Sequence, residues 1–193
     1  MMEKFLHLTW EDVQLLTEEV ATMIKSSGFK PDIIVAVSRG GFDPARILCD
    51  QLNVRRLACV QVESYAGMKR SSEPKVIIPV NADVSGKKVL VSDDVSDTGA
   101  SLKKARDHIL EMRAAEVKVV TLHIKPWSTF LPDFFASSTD AWVVYPWEIR
   151  ECLTELASKF HNEGLKDSVI REKLIELGFK SEVVYKILSI KHI

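Results

Sequence analysis

The run Ile33-Ile34-Val35-Ala36-Val37 has no polar position, so neither side of it can face water. A strand of this kind belongs inside a sheet covered on both faces, the setting of parallel sheets flanked by helices. Pro31 opens the run and Ser38-Arg39-Gly40-Gly41 closes it. Residues 57–62, 88–91 and 117–124 read as further strands, the second of these ending in Ser92-Asp93-Asp94. Val13, Leu16, Val20 and Ile24 recur at helical spacing between a Thr9/Asp12 start and a stop at Gly28. Pro44 suits the first turn of a second helix that turns Ile47, Leu48 and Leu52 inward, and residues 100–112 read as a third. Strands alternating with helices predict an α/β fold, a doubly wound, mostly parallel sheet flanked by helices. Ligands of such sheets bind beyond the carboxyl ends of the strands, which singles out three polar clusters at 38–41, 64–74 and 93–101.

Composition narrows the function classes. The 193 residues are 46% hydrophobic and 27% charged, the balance of a folded domain. With 26 basic and 27 acidic side chains the net charge is -1, which gives no broad electrostatic handle for nucleic acid or an anionic membrane. A local anion site stays open. No apolar run approaches bilayer length, and the first ten residues mix acid, base and histidine, so neither a membrane span nor a signal peptide is expected and the cytoplasm is the expected location. Cys49, Cys59 and Cys152 are odd in number and far apart, which predicts neither a disulfide framework nor a zinc site. His7, His108, His123 and His161 stand at no triad or metal spacing and read as structural or surface residues. Residues 147–160, 167–177 and 181–190 read as amphipathic helices, a C-terminal extension packed on the sheet or on a partner subunit.

Chemistry concentrates in Val89-Leu90-Val91-Ser92-Asp93-Asp94-Val95-Ser96-Asp97-Thr98-Gly99-Ala100-Ser101-Leu102. A buried strand delivers two adjacent acids, a short loop follows, and a helix opens at Thr98-Gly99-Ala100-Ser101. Small residues let the backbone curl so that N–H groups converge at the positive end of the helix, which suits a phosphate. Acids cannot bind phosphate themselves; they suit ribose hydroxyls or a Mg²⁺ ion on a polyphosphate.

This stretch resembles the phosphoribosyl pyrophosphate (PRPP) motif of type I phosphoribosyltransferases: acidic pair, spacer, Asp-Thr-Gly and hydroxyl residue stand in the family order. The resemblance implies the type I phosphoribosyltransferase fold. It also implies a PRPP site of Asp93, Asp94, Val95, Ser96, Asp97, Thr98, Gly99, Ala100 and Ser101. Within it, Asp93 and Asp94 hold the ribose hydroxyls, Asp94 also serves Mg²⁺, and backbone groups of Asp97 to Ser101 bind the 5′-phosphate. Asp97 would act near N7 of a purine as general base, or stabilise the proton there. Arg39 and Gly40, in a segment similar to the family's pyrophosphate loop, would hold the leaving group, and a strained or cis peptide is common in that loop. Ser64-Tyr65 opens a segment similar to the family's mobile lid, in which Lys69 or Arg70 could reach the pyrophosphate, although its length and charge depart from the family pattern.

The base follows from the same likeness. Lys125, just before Pro126, stands where purine members place a lysine on O6; an ammonium only donates, so it favours a 6-oxopurine over adenine. Asp140-Ala141-Trp142-Val143-Val144-Tyr145-Pro146-Trp147-Glu148 is similar to the closing segment of xanthine–guanine phosphoribosyltransferases, which puts Trp142 and Val143 on the base. That likeness spans residues 4–148, whereas the rest is closer to archaeal-type purine enzymes. The expected layout is a core at 1–148, with a lid at 64–75 and a base-covering segment at 125–148, followed by a helical extension at 149–193. The expected activity is purine salvage: Mg²⁺-dependent transfer of phosphoribosyl from PRPP to N9 of guanine, hypoxanthine or xanthine by a homodimer, with no membrane or nucleic-acid partner. The alternatives are a PRPP-binding regulator without catalysis and a phosphoribosyltransferase for another base such as adenine.

Overall fold

The computed structural model describes residues 4–63 and 73–189. In chain order the elements are β1 (Phe5–His7), α1 (Trp10–Ser26), β2 (Ile33–Ser38), α2 (Phe42–Gln51), β3 (Leu57–Glu63), β4 (Lys75–Ile78), β5 (Lys88–Ser96), α3 (Ala100–Glu111), β6 (Glu116–Ile124), β7 (Phe134–Ser138), β8 (Trp142–Val144), α4 (Ile149–Asn162), α5 (Asp167–Glu176) and α6 (Ser181–Leu188). They divide into two compact units, one of residues 13–140 and one of residues 1–12 with 141–193.

The larger unit holds a six-stranded sheet in the order β4-β3-β2-β5-β6-β7. All neighbours run parallel except β3 with β4. Ile33 to Val37 are all buried, as an apolar run beside two parallel neighbours requires. Side chains alternate faces along a strand. Val35, Val37, Val89, Val91, Val117 and Val119 therefore share one face and pack with Leu102, Ala105 and Ile109 of α3.

In the smaller unit β1 pairs in parallel with β8, with Phe5 opposite Trp142 and Leu6 opposite Val143. Its three helices enclose Val144, Leu153, Leu156, Ile170, Leu174, Phe179 and Val184. Thr9 and Asp12 form a reciprocal cap: the Thr9 N–H and hydroxyl donate to the Asp12 carboxylate at 2.8 and 2.6 Å, and the Asp12 N–H donates to Thr9 Oγ1 at 3.1 Å. His7 lies 2.8 Å from the Leu177 carbonyl and edge-on to Phe179, and His161 pairs with Asp167 at 2.7 Å.

The expected strands and helices form, and four short strands join them unannounced. β1, β4, β7 and β8 lie at sheet edges or in the two-stranded sheet, where three to five residues carry too little alternation to be read. One boundary also differs. The loop expected directly after Asp94 begins two residues later, because Val95 and Ser96 continue the ladder opposite His123 and Ile124 of β6.

Candidate active site

The order of strands reverses between β2 and β5: the chain goes from β2 outward to β3 and returns to place β5 on the other side of β2. A reversal of this kind opens a crevice at the carboxyl ends of the two strands. Ser38-Arg39-Gly40-Gly41 and Asp93-Asp94 lie at those ends. The Ser38–Arg39 peptide bond is cis. The loop closes onto α2 through Gly41 N–H to the Val37 carbonyl (2.9 Å) and Phe42 N–H to the Arg39 carbonyl (3.1 Å). Its glycines allow close approach rather than an unusual φ. A Cβ on Gly41 would collide with the Ser92 carbonyl and sit 2.7 Å from that of Val37, and one on Gly40 would collide with the Asp94 carboxylate.

Asp94 is 6% exposed, and its Oδ1 accepts the Val95 N–H at 2.7 Å. Asp93 is half-buried and accepts the Asp94 N–H at 3.1 Å. Beyond β5, Asp97 and Thr98 are exposed and Gly99 adopts φ +80 ahead of α3. At that φ a side chain is strained, and a Cβ would also meet Phe130 Cβ at 2.5 Å. No side chain caps α3 at Gly99, and Ala100 N–H reaches only Thr98 Oγ1, at 3.3 Å. The first turn of a helix has N–H groups without intrahelical acceptors, and with the helix dipole they attract an anion.

The segment after β6 holds this loop in place. Lys125 N–H donates to the Ser96 carbonyl (2.9 Å), and Thr129 donates both its N–H (3.0 Å) and its hydroxyl (2.9 Å) to the Thr98 carbonyl. Ser96 Oγ lies 2.9 Å from Ser128 Oγ and donates to the Phe130 carbonyl at 3.2 Å. The Trp127 indole N–H donates to Asp97 Oδ1 at 2.8 Å, and Lys125 Nζ stands 5.6 Å from the indole centroid. Ser96, fully buried, thus serves this contact with its side chain, whereas Asp93, Asp97, Thr98 and Lys125 surround the end of β5.

Burial pulls the Lys125 ammonium below the usual lysine range, while Asp97 and Asp140 draw it back up. His123, on the same strand, is buried and lowered from 6.5 to about 4 by burial and by Lys125. Its folded form therefore stays neutral while the unfolded chain takes up a proton below pH 6.5. Stability is then complete above pH 6.5 and is lost as pH falls from 6.5 towards about 4, by about 2–3 kcal/mol in all. Urea unfolding at pH 7 and pH 4.5 should show this loss in the native chain and a smaller one in His123→Asn.

Of the remaining expected residues, Ser64, Tyr65, Lys69 and Arg70 lie outside the described residues. Within the smaller unit Trp142 is 41% exposed, donates its N–H to the Lys4 carbonyl at 2.7 Å and stacks on Phe5, whereas Val143 is buried. Trp127, Ser128, Thr129 and Phe130 were not anticipated. Their only mark in the sequence is an aromatic and two hydroxyl residues directly behind Lys125-Pro126.

Known proteins resemble this chain in sequence and fold. A family model described as phosphoribosyl transferase domain matches residues 10–151. A xanthine-guanine phosphoribosyltransferase of Idiomarina loihiensis is 34% identical over 146 residues, covering 74% of this chain and 86% of that protein. One from Gluconobacter oxydans is 32% identical over 149 residues, covering 73% and 83%. The crystal structure of a purine phosphoribosyltransferase from Pyrococcus horikoshii superposes with a TM-score of 0.67 at 34% identity, covering 75% of this chain and 93% of that one. With the family model covering residues 10–151 and these relatives at 32–34% identity, the chain belongs to the phosphoribosyl transferase domain family.

Proposed function

We propose that this chain is a purine-salvage enzyme that transfers phosphoribosyl from PRPP to N9 of a 6-oxopurine, releasing pyrophosphate and the nucleoside monophosphate. The observation that carries this reading is the gathering of Asp93, Asp97, the first turn of α3 and the buried Lys125 around the end of β5. Backbone N–H groups from Asp97 to Ser101 bind the 5′-phosphate, and Asp93 and Asp94 take the ribose hydroxyls. Arg39 and the backbone at Gly40 hold the pyrophosphate. As the bond from C1′ to pyrophosphate breaks and N9 bonds to C1′, the purine loses a proton, which Asp97 accepts or stabilises at N7. Lys125 donates to O6 and so selects a 6-oxopurine. Trp142 and Val143 as base contacts, and Ser64, Tyr65, Lys69 and Arg70 as lid residues, rest on the family resemblance.

Asp94 and Asp93 are hard oxygen donors that fit Mg²⁺, which supplies charge neutralisation for the diphosphate when bound. The described residues hold no cluster of three His, Cys, Asp or Glu side chains, so most ligands would come from substrate and water. No described helix is long and apolar enough to cross a membrane, and we place the enzyme in the cytoplasm as a homodimer.

The test is nucleotide formation from PRPP and Mg²⁺ with guanine, hypoxanthine, xanthine, adenine and uracil, for the native chain and Lys125→Ala. A 6-oxopurine should be turned over. Loss of a hydrogen bond from a charged donor should lower its kcat/KM in the variant by about 10- to 100-fold. Unchanged base use would remove Lys125 from the pocket. PRPP binding without turnover of any base would identify a regulator instead.

A further inference from the structure

We infer that Trp127 is a positioning residue that aims the Asp97 carboxylate and supports Lys125. The inference rests on the roles given above to those two residues, and it adds a third that acts through them. The exposed Asp97 sits in a loop just ahead of the glycine at φ +80, and its own backbone does little to fix its carboxylate. The indole N–H of Trp127 reaches Oδ1 at 2.8 Å, and among the described residues Oδ2 has no hydrogen-bond partner. An indole has one donor and no acceptor, so it can satisfy one oxygen of a carboxylate without offering that carboxylate a proton route. Oδ1 is thereby anchored and Oδ2 is left available to accept the purine's proton.

The same ring serves the base-reading residue. Lys125 Nζ stands 5.6 Å from the indole centroid, a cation–π distance, so one side chain sets the carboxylate and the ammonium relative to each other. The anchor of Trp127 is itself fixed. Ser128 N–H donates to the Lys125 carbonyl at 2.9 Å, and Thr129 is doubly bonded to Thr98, so Trp127 is flanked by residues tied to the loop that carries Asp97. Trp127 is nevertheless 53% exposed, more than packing alone would ask of a tryptophan. Its polar end is engaged while much of its ring lies open.

Trp127→Phe removes the N–H and keeps an aromatic face, and Trp127→Leu removes both. Steady-state kinetics with PRPP and guanine should show kcat lowered about tenfold in Trp127→Phe, the cost of one hydrogen bond to a charged acceptor. KM for PRPP should stay within about twofold, because this hydrogen bond is made to Asp97 and not to a phosphate-binding group. In Trp127→Leu, KM for guanine should rise a further threefold or so with loss of the cation–π contact. The loss caused by Trp127→Phe should vanish in an Asp97→Asn background, since a residue acting through Asp97 has nothing left to aim. A readout independent of turnover is the ¹H–¹⁵N indole resonance absent from Trp127→Phe: in Asp97→Ala it should move upfield and exchange faster with solvent.

Equal losses in the native and Asp97→Asn backgrounds would make Trp127 a general structural residue and overturn the inference. So would native kcat in Trp127→Phe while Asp97→Asn alone collapses, and that result would leave the proposed role of Asp97 standing. Full activity of Asp97→Asn would instead bring down the reading on which the inference rests. If Trp127→Phe lowers the melting temperature, the indole resonance in Asp97→Ala decides.

Discussion

Asp97→Asn should lose about 10²- to 10³-fold in kcat, the range expected when a positioned general base is neutralised. The substitution is nearly isosteric, and its amide oxygen can still accept the Trp127 indole N–H that reaches Oδ1 at 2.8 Å. The loop should therefore keep its shape while the charge and the proton acceptor disappear. Asp97 is exposed, and the hydrogen bond it accepts from Trp127 can be kept by the amide oxygen, so melting should be unaffected. KM for PRPP should change little, since phosphate binding is assigned to the backbone of this loop and of α3. Steady-state kinetics over both substrates with a melting curve would check all three expectations. Turnover within threefold of native would move the general base elsewhere.

The second large effect separates the fold from the site at two adjacent glycines. Gly41→Ala would drive a methyl group into the Ser92 carbonyl and within 2.7 Å of the Val37 carbonyl. Both belong to the backbone of central strands, β5 and β2, which cannot yield without breaking the parallel ladder in which Val35 pairs with Val91 and Ala36 with Ser92. A forced insertion into such a core costs about 3 kcal/mol, lowering Tm by roughly 6–12 °C for a chain of this size. Gly40→Ala meets the Asp94 carboxylate instead, a side chain that can rotate away. The fold should survive with a Tm near native. Asp94 would then be displaced from the Val95 N–H and from the ribose and Mg²⁺ it is proposed to serve, and KM for PRPP should rise about tenfold for a charge-assisted bond lost. Thermal unfolding and PRPP titration of the two variants side by side would test this. A stable Gly41→Ala, or an unstable Gly40→Ala with native KM, would contradict the assignment.

Much of the fold was legible because it is encoded locally. Ile33 to Val37 announce a doubly covered strand through their own side chains, and the Thr9–Asp12 cap forms between residues three apart. The motif from Asp93 to Ser101 is also contiguous, so strand, acids, Gly99 turn and helix start could be ordered from the sequence. Where β5 ends could not, because Val95 and Ser96 are strand only by virtue of His123 and Ile124 beside them. β7 was hidden for a similar reason: Phe-Phe-Ala-Ser-Ser carries no alternation, and its pairing with β6 alone makes it a strand.

The sequence by itself determined that this chain builds a covered parallel sheet and carries a strand–loop–helix with paired acids and a glycine ahead of the helix, because periodicity and a contiguous motif depend only on near neighbours. Tertiary structure alone decided that Trp127 bonds to Asp97 across 30 residues, that Gly40 abuts Asp94, and that β1 joins residues 141–193 instead of the larger sheet. Contacts of this kind follow from the order in which strands lie side by side. That order is set by how helices cover the whole sheet, a property no short stretch of residues contains.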